Sequence, residues 1–149
     1  MSDYKTYEVR VYKSRRKEWR LHGKLHREGG PAIERADGDK EWWLHGKPHR
    51  EDGPAIERAD GDKQWWFHGE LHREDGPAIE RAGGYKEWWL NGSRHREDGP
   101  AVEYSDGSKE WWLYDEELTE EEYRRRTSDQ ACNGKIVEID GIKYKLTEV

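Results

Sequence analysis

Cysteine occurs once in the 149 residues, at Cys132, so no internal disulfide framework can staple the fold. Methionine and phenylalanine also occur once each, and hydrophobic residues make up 32% of the chain against 40% charged. That balance taken alone suits a disordered chain. No apolar run is long enough to cross a bilayer, which argues against membrane insertion, and no secretory leader is evident. Cytoplasmic is therefore the expected compartment. Positive charge is in deficit too: 27 Lys/Arg against 33 Asp/Glu give −6, which disfavours binding to nucleic acid. The deficit is uneven. Residues 1–24 hold eight Lys/Arg and three Asp/Glu, a surplus of +5 that leaves −11 for the remainder.

What is present argues for order. Nine tryptophans and eight tyrosines supply large apolar surfaces to a chain otherwise poor in them. Trp19, Trp42, Trp65, Trp88 and Trp111 stand 23 residues apart, and the residues between them recur almost verbatim. A period of this length marks a repeat architecture, in which stacked units bury what one unit cannot. Residues 1–23 form a degenerate capping copy, with Arg20 where later copies carry a second Trp. Residues 24–118 are the repeats, and residues 119–149 close the array.

Within a copy, residues 54–59 (PAIERA) and 62–67 (DKQWWF) alternate as strands do, around Asp60-Gly61. His68-Gly69, replaced by Asn91-Gly92 in a later copy, marks a further tight turn at the start of a charged connection of roughly ten residues. The expected fold is mainly β: an elongated antiparallel meander of 23-residue β-hairpin repeats, followed by a short C-terminal helix and a β-hairpin. Thr119 and Glu122 make a capping box for a helix over residues 120–126, and Asp140-Gly141 separates two short strands. This tail is expected to cover the last hairpin, or else to mediate oligomerisation.

If Asp60-Gly61 is a two-residue turn, Ile56 opposes Trp65 and Ala55 opposes Trp66. One face then carries Ile56, Trp65 and Phe67 as core, with Ile33/Trp42/Leu44, Ile79/Trp88/Leu90 and Val102/Trp111/Leu113 alike. The other presents Trp43, Trp66, Trp89 and Trp112, about 10 Å apart, over Ala55, Ala78 and Ala101. This register sets Glu34 against Glu41 and Glu80 against Glu87, which is unfavourable. An interposed loop arginine, a different register or a cationic partner would each relieve it.

Candidate chemistry is sparse. The pairs His22/His26, His45/His49 and His68/His72 suit zinc only on a helix, and here glycine-containing turns separate them. The reading is structural or surface histidine, with no metal and no cofactor. Four copies of one carboxylate pair on an open sheet make a poor acid–base site, and no nucleophile triad or phosphate loop is present. The expectation is a protein that is not an enzyme.

Trp43, Gly46, Lys47, His49, Gly53, Asp60 and Gly61, with their equivalents over about residues 8–118, resemble the MORN repeat family. The match departs from that family in the inserted Arg50-Glu51 and in Trp42-Trp43 where Tyr–x–Gly–x–Trp is usual. It is more similar to the variant with HREDGPA loops found in phage and giant-virus proteins. The resemblance implies a single-layered sheet of hairpins acting as a binding scaffold. The expected function is thus a non-catalytic repeat scaffold for protein–protein interaction, with Trp43, Trp66, Trp89, Trp112, Arg50, Arg73 and Arg96 as partner-binding residues. A viral origin would make the partner a host defence protein, inhibited in the host cytoplasm. The alternatives are a small-molecule sink that stacks a nucleotide signal between the tryptophans, a self-assembling structural module (a homo-oligomer) and, more weakly, a DNA mimic.

Overall fold

The structure, a computed structural model, describes residues 6–132, 136–139 and 142–145. It is mainly β. A 12-stranded antiparallel sheet runs in chain order as a meander, from Glu8–Val11 at one end to Glu116–Leu118 at the other. At about 4.8 Å per strand it extends roughly 50 Å. The C-terminal hairpin pairs Ile136–Ile139 with Ile142–Lys145; its expected Asp140-Gly141 turn lies outside the described residues.

Each repeat holds two hairpins where one was expected. The first is closed by a three-residue loop. Arg58 N–H donates to Asp62 O at 2.9 Å and Gly61 N–H to Arg58 O at 3.0 Å, with Gly61 at φ 99°. This is a type I turn finished by a left-handed glycine. The second lies inside the charged connection. Trp66–Phe67 pairs with Glu70–Leu71, and His68 and Gly69 both take positive φ, as a primed two-residue turn requires.

The three-residue loop corrects the expected register. Ile56 opposes Gln64 and Glu57 opposes Lys63, so every pairing moves by one residue and each side chain changes its companions. Two rows then cross the sheet. One runs Lys17, Glu34, Lys40, Glu57, Lys63, Glu80, Lys86, Glu103, Lys109. The other runs Glu18, Ile33, Glu41, Ile56, Gln64, Ile79, Glu87, Val102, Glu110. Glu34 therefore faces Lys40, and Glu80 faces Lys86. The feared like-charge pairs become favourable cross-strand pairs.

The core is thin. Ala32, Ala55, Ala78 and Ala101 are wholly buried, while every tryptophan is only half-buried. Polar staples make up the difference, each joining one copy to the next as a stacked array demands. Asp39 accepts Ala59 N–H at 2.9 Å and pairs with Arg58 at 2.8 Å; Asp62 does the same with Ala82 and Arg81. The Ala59 hydrogen bond, then Arg58, holds the Asp39 carboxyl below its usual range. On the other edge His26, His49, His72 and His95 accept, through Nδ1, the backbone N–H at the tip of the following turn, at 3.0–3.3 Å.

Helix α1 spans Glu120–Cys132, past the expected end at Arg126. Thr127 and Ser128 continue it by donating their hydroxyls back to Tyr123 O and Arg125 O, at 3.0 and 2.8 Å. The capping box forms: Thr119 Oγ1 accepts Glu122 N–H, and the Glu122 carboxylate accepts Thr119 N–H. Among the described residues no helix is long and apolar enough to cross a membrane.

Candidate functional site: a row of clefts between loops

Neighbouring strand residues point to opposite sides of a sheet, and the contacts identify which tryptophan goes where. Trp43 Nε1 donates to Glu41 at 3.1 Å, so it lies on the side of the Ile/Glu row. Trp66, Trp89 and Trp112 do likewise with Gln64, Glu87 and Glu110, at 3.0, 2.6 and 2.9 Å. Burial would raise the Glu41 pKa, but its hydrogen bond to Arg35, the charge of Arg35, Trp43 and the Arg58 charge outweigh that and hold the carboxyl below its ordinary value.

The first tryptophan of each pair lies on the Lys/Glu side, beneath an arginine of the next loop. Arg27, Arg50, Arg73 and Arg96 stand over Trp19, Trp42, Trp65 and Trp88 at 3.9–4.0 Å from the ring centre. Each guanidinium is already engaged. Arg50 bonds Asp52 at 2.9 Å, Glu57 at 2.8 Å and Pro54 O at 3.2 Å; Arg73 and Arg96 repeat the pattern. The seven expected partner-binding residues are thus divided: Arg50, Arg73 and Arg96 on the loop side, Trp43, Trp66, Trp89 and Trp112 on the opposite side.

Among the described residues, open clefts lie between successive loops, three of them in a row. One, of about 630 Å³, is lined by Gly30, Trp42, Leu44 and His49. The next, about 1020 Å³, is lined by Gly53, Trp65, Phe67 and His72. The third, about 780 Å³, is lined by Gly76, Trp88, Leu90 and His95. Two of the HRED loops are walls shared by two clefts: residues 50–52 line the first and second, and residues 73–75 the second and third. The rims are acidic and open, with Glu51, Asp52, Glu74 and Asp75 about 80% exposed. Phe67 is exposed and packs against the rings of His49, His68 and His72.

The arginines stack on Trp19, Trp42, Trp65 and Trp88 and not on the tryptophans grouped with them in the sequence expectation, which has no counterpart to the clefts. The signal in the sequence was the like-charge pairing, and of the three ways to relieve it the different register is the one found: a one-residue shift sets Glu34 on Lys40 and Glu80 on Lys86. Among the described residues no three His, Cys, Asp or Glu side chains gather as a metal ligand set. No protein-family model matches the chain, and comparison with curated proteins finds no match.

Proposed function

We propose that the protein is a non-catalytic repeat scaffold that binds a protein partner along its row of inter-loop clefts. The observation that supports this is their regularity: the same tryptophan floor, apolar wall and acidic rim recur at two-strand intervals, about 10 Å. A one-reaction active site has no use for three equal copies, whereas an extended partner does. Tryptophan is also the residue most favoured where binding energy concentrates. The clefts suit a protein segment better than a nucleotide, because the arginines that would hold phosphate are occupied by Asp52, Glu57 and their equivalents. The resemblance to HREDGPA-loop repeats of phage and giant-virus proteins makes a host protein the natural partner class, with inhibition of a defence protein as the outcome.

The test is site-specific photocrosslinking from host lysate. A benzophenone amino acid at Phe67 or Leu90, inside the clefts, should yield one protein adduct. The same group at Tyr104, exposed and bonded to Glu110 on the opposite side, should yield none. No adduct from the cleft positions, or equal adducts from both sides, refutes the proposal.

A further inference from the structure

The array holds a fourth cleft, and the chain fills it itself. Gly99, Trp111, Leu113 and Leu118 stand 46 residues after Gly53, Trp65, Phe67 and His72, and therefore correspond to them across two repeats. Helix α1 takes the place of the next loop there. Tyr123 is buried against Leu113 and Leu118, with Trp111 packed on the cluster. Its hydroxyl accepts the Gly99 N–H at 2.9 Å. Burial, ahead of the smaller influence of that hydrogen bond, raises the Tyr123 pKa, which keeps the phenol neutral. The terminal cleft thus shows what this geometry holds: a phenol ring on tryptophan and leucine, its oxygen on a glycine amide.

We propose that each of the three open clefts accepts a tyrosine side chain, flanked by basic residues, from the partner protein. This rests on the protein-binding reading and names the chemistry of its ligand. Three features of the open clefts carry it. Gly30, Gly53 and Gly76 line them at the position where Gly99 meets the Tyr123 hydroxyl. The floor keeps Trp42, Trp65 or Trp88 beside Leu44, Phe67 or Leu90. The open clefts differ from the fourth in having an arginine over the indole, and a guanidinium is itself a good surface for an aromatic ring. Finally, Glu51 and Glu74 stand exposed on the rim, while Asp52 with Glu57 and Asp75 with Glu80 engage Arg50 and Arg73, two acids to each arginine, so the surplus charge is negative. The occupant must therefore be neutral within the cleft and cationic beside it. A phosphotyrosine or an acidic peptide is excluded on the same ground.

The experiment uses the full chain labelled with nitrogen-15 and three blocked heptapeptides: acetyl-ARKYKRA-amide, its phenylalanine analogue and its glutamate-flanked analogue. The tyrosine peptide should perturb the amide signals of Gly30, Gly53 and Gly76 and leave Gly99, which Tyr123 already occupies, unchanged. The phenylalanine analogue should bind about fivefold more weakly, the size of one net hydrogen bond. The glutamate-flanked analogue should bind at least tenfold more weakly at low salt. Unmoved glycines, a response confined to Gly99, or equal binding by all three peptides overturns the proposal. Crosslinking from Phe67 and Leu90 judges the broader reading separately: an adduct there together with silent glycines would sink the tyrosine assignment alone.

Discussion

Replacing Arg73 isolates the contact that positions a cleft wall. Its guanidinium lies 4.0 Å from the centre of the Trp65 ring, bonds Glu80 at 2.8 Å and Pro77 O at 3.2 Å, and reaches the exposed Asp75 at 2.8 Å. The stack at a half-exposed site is worth about 1 kcal/mol. The bond to the proline carbonyl is worth about 1 kcal/mol, and the pair with the partly exposed Glu80 up to about 1 kcal/mol. Asp75 is left out because solvent screens it. Arg73→Ala should therefore cost about 2–3 kcal/mol, which for a chain of this size lowers Tm by roughly 5–10 °C. Arg73→Lys keeps the charge but loses the planar fork, and should cost about half as much. The assay is thermal unfolding followed by tryptophan fluorescence and far-ultraviolet circular dichroism together, with Glu80→Gln completing a double-mutant cycle. A lysine variant as stable as the parent would show that a positive charge over Trp65 suffices and that the planar guanidinium contributes nothing beyond it.

Other outcomes follow from single contacts. His49 accepts the His68 N–H through Nδ1, and burial, then the nearby His68, lowers its pKa. The unfolded state then binds the proton more readily, so stability is intact above about pH 6.5 and falls as pH drops through the lower folded value. In a pH series of denaturant melts His49→Gln should flatten this dependence; an unchanged slope between about pH 7 and 5 would contradict it. Asp62→Ala removes the acceptor for Ala82 N–H and the partner of Arg81; it should cost about 1–2 kcal/mol, read as the midpoint of a urea melt. Gly69→Ala puts a Cβ at φ 90°, 3.1 Å from Lys47 Cδ. That should destabilise by at least about 1 kcal/mol, and a neutral effect would contradict the turn assignment.

The sequence made legible whatever depended on neighbours along the chain. The 23-residue period, the His-Gly and Asn-Gly turns and the Thr119–Glu122 cap are local statements, and the described structure has them. The register was harder. Asp-Gly fits a two-residue turn and also the last two places of a three-residue loop. Local turn chemistry does not separate these, yet the choice decides which side Ile56 shares with Trp66. The information lay across the strands: only the longer loop sets Glu34 on Lys40 and Glu57 on Lys63. The histidine caps and arginine stacks were not legible at all. His49 meets an amide 19 residues away, and Arg50 meets Trp42 only because the HRED loop folds back over the preceding strand.

Shared walls give the row of clefts a property that a set of independent sites lacks. Residues 73–75 border the second and third clefts together, and Arg73 links that wall to Trp65 on one side and to Glu80 of the next strand on the other. An occupant that fixes the exposed Glu74 side chain from one cleft spends conformational entropy that a second occupant of the adjoining cleft no longer has to supply. Neighbouring clefts should therefore fill cooperatively, and a partner with two suitable groups about 10 Å apart should gain more than the tethering alone provides. Peptides carrying two tyrosines at graded separations test this directly by titration calorimetry. Affinity should peak near a 10 Å separation, and Arg73→Ala should reduce the gain without abolishing binding of a single-tyrosine peptide. A flat dependence on separation would mean that the clefts act alone, and the regular spacing would then have no bearing on recognition.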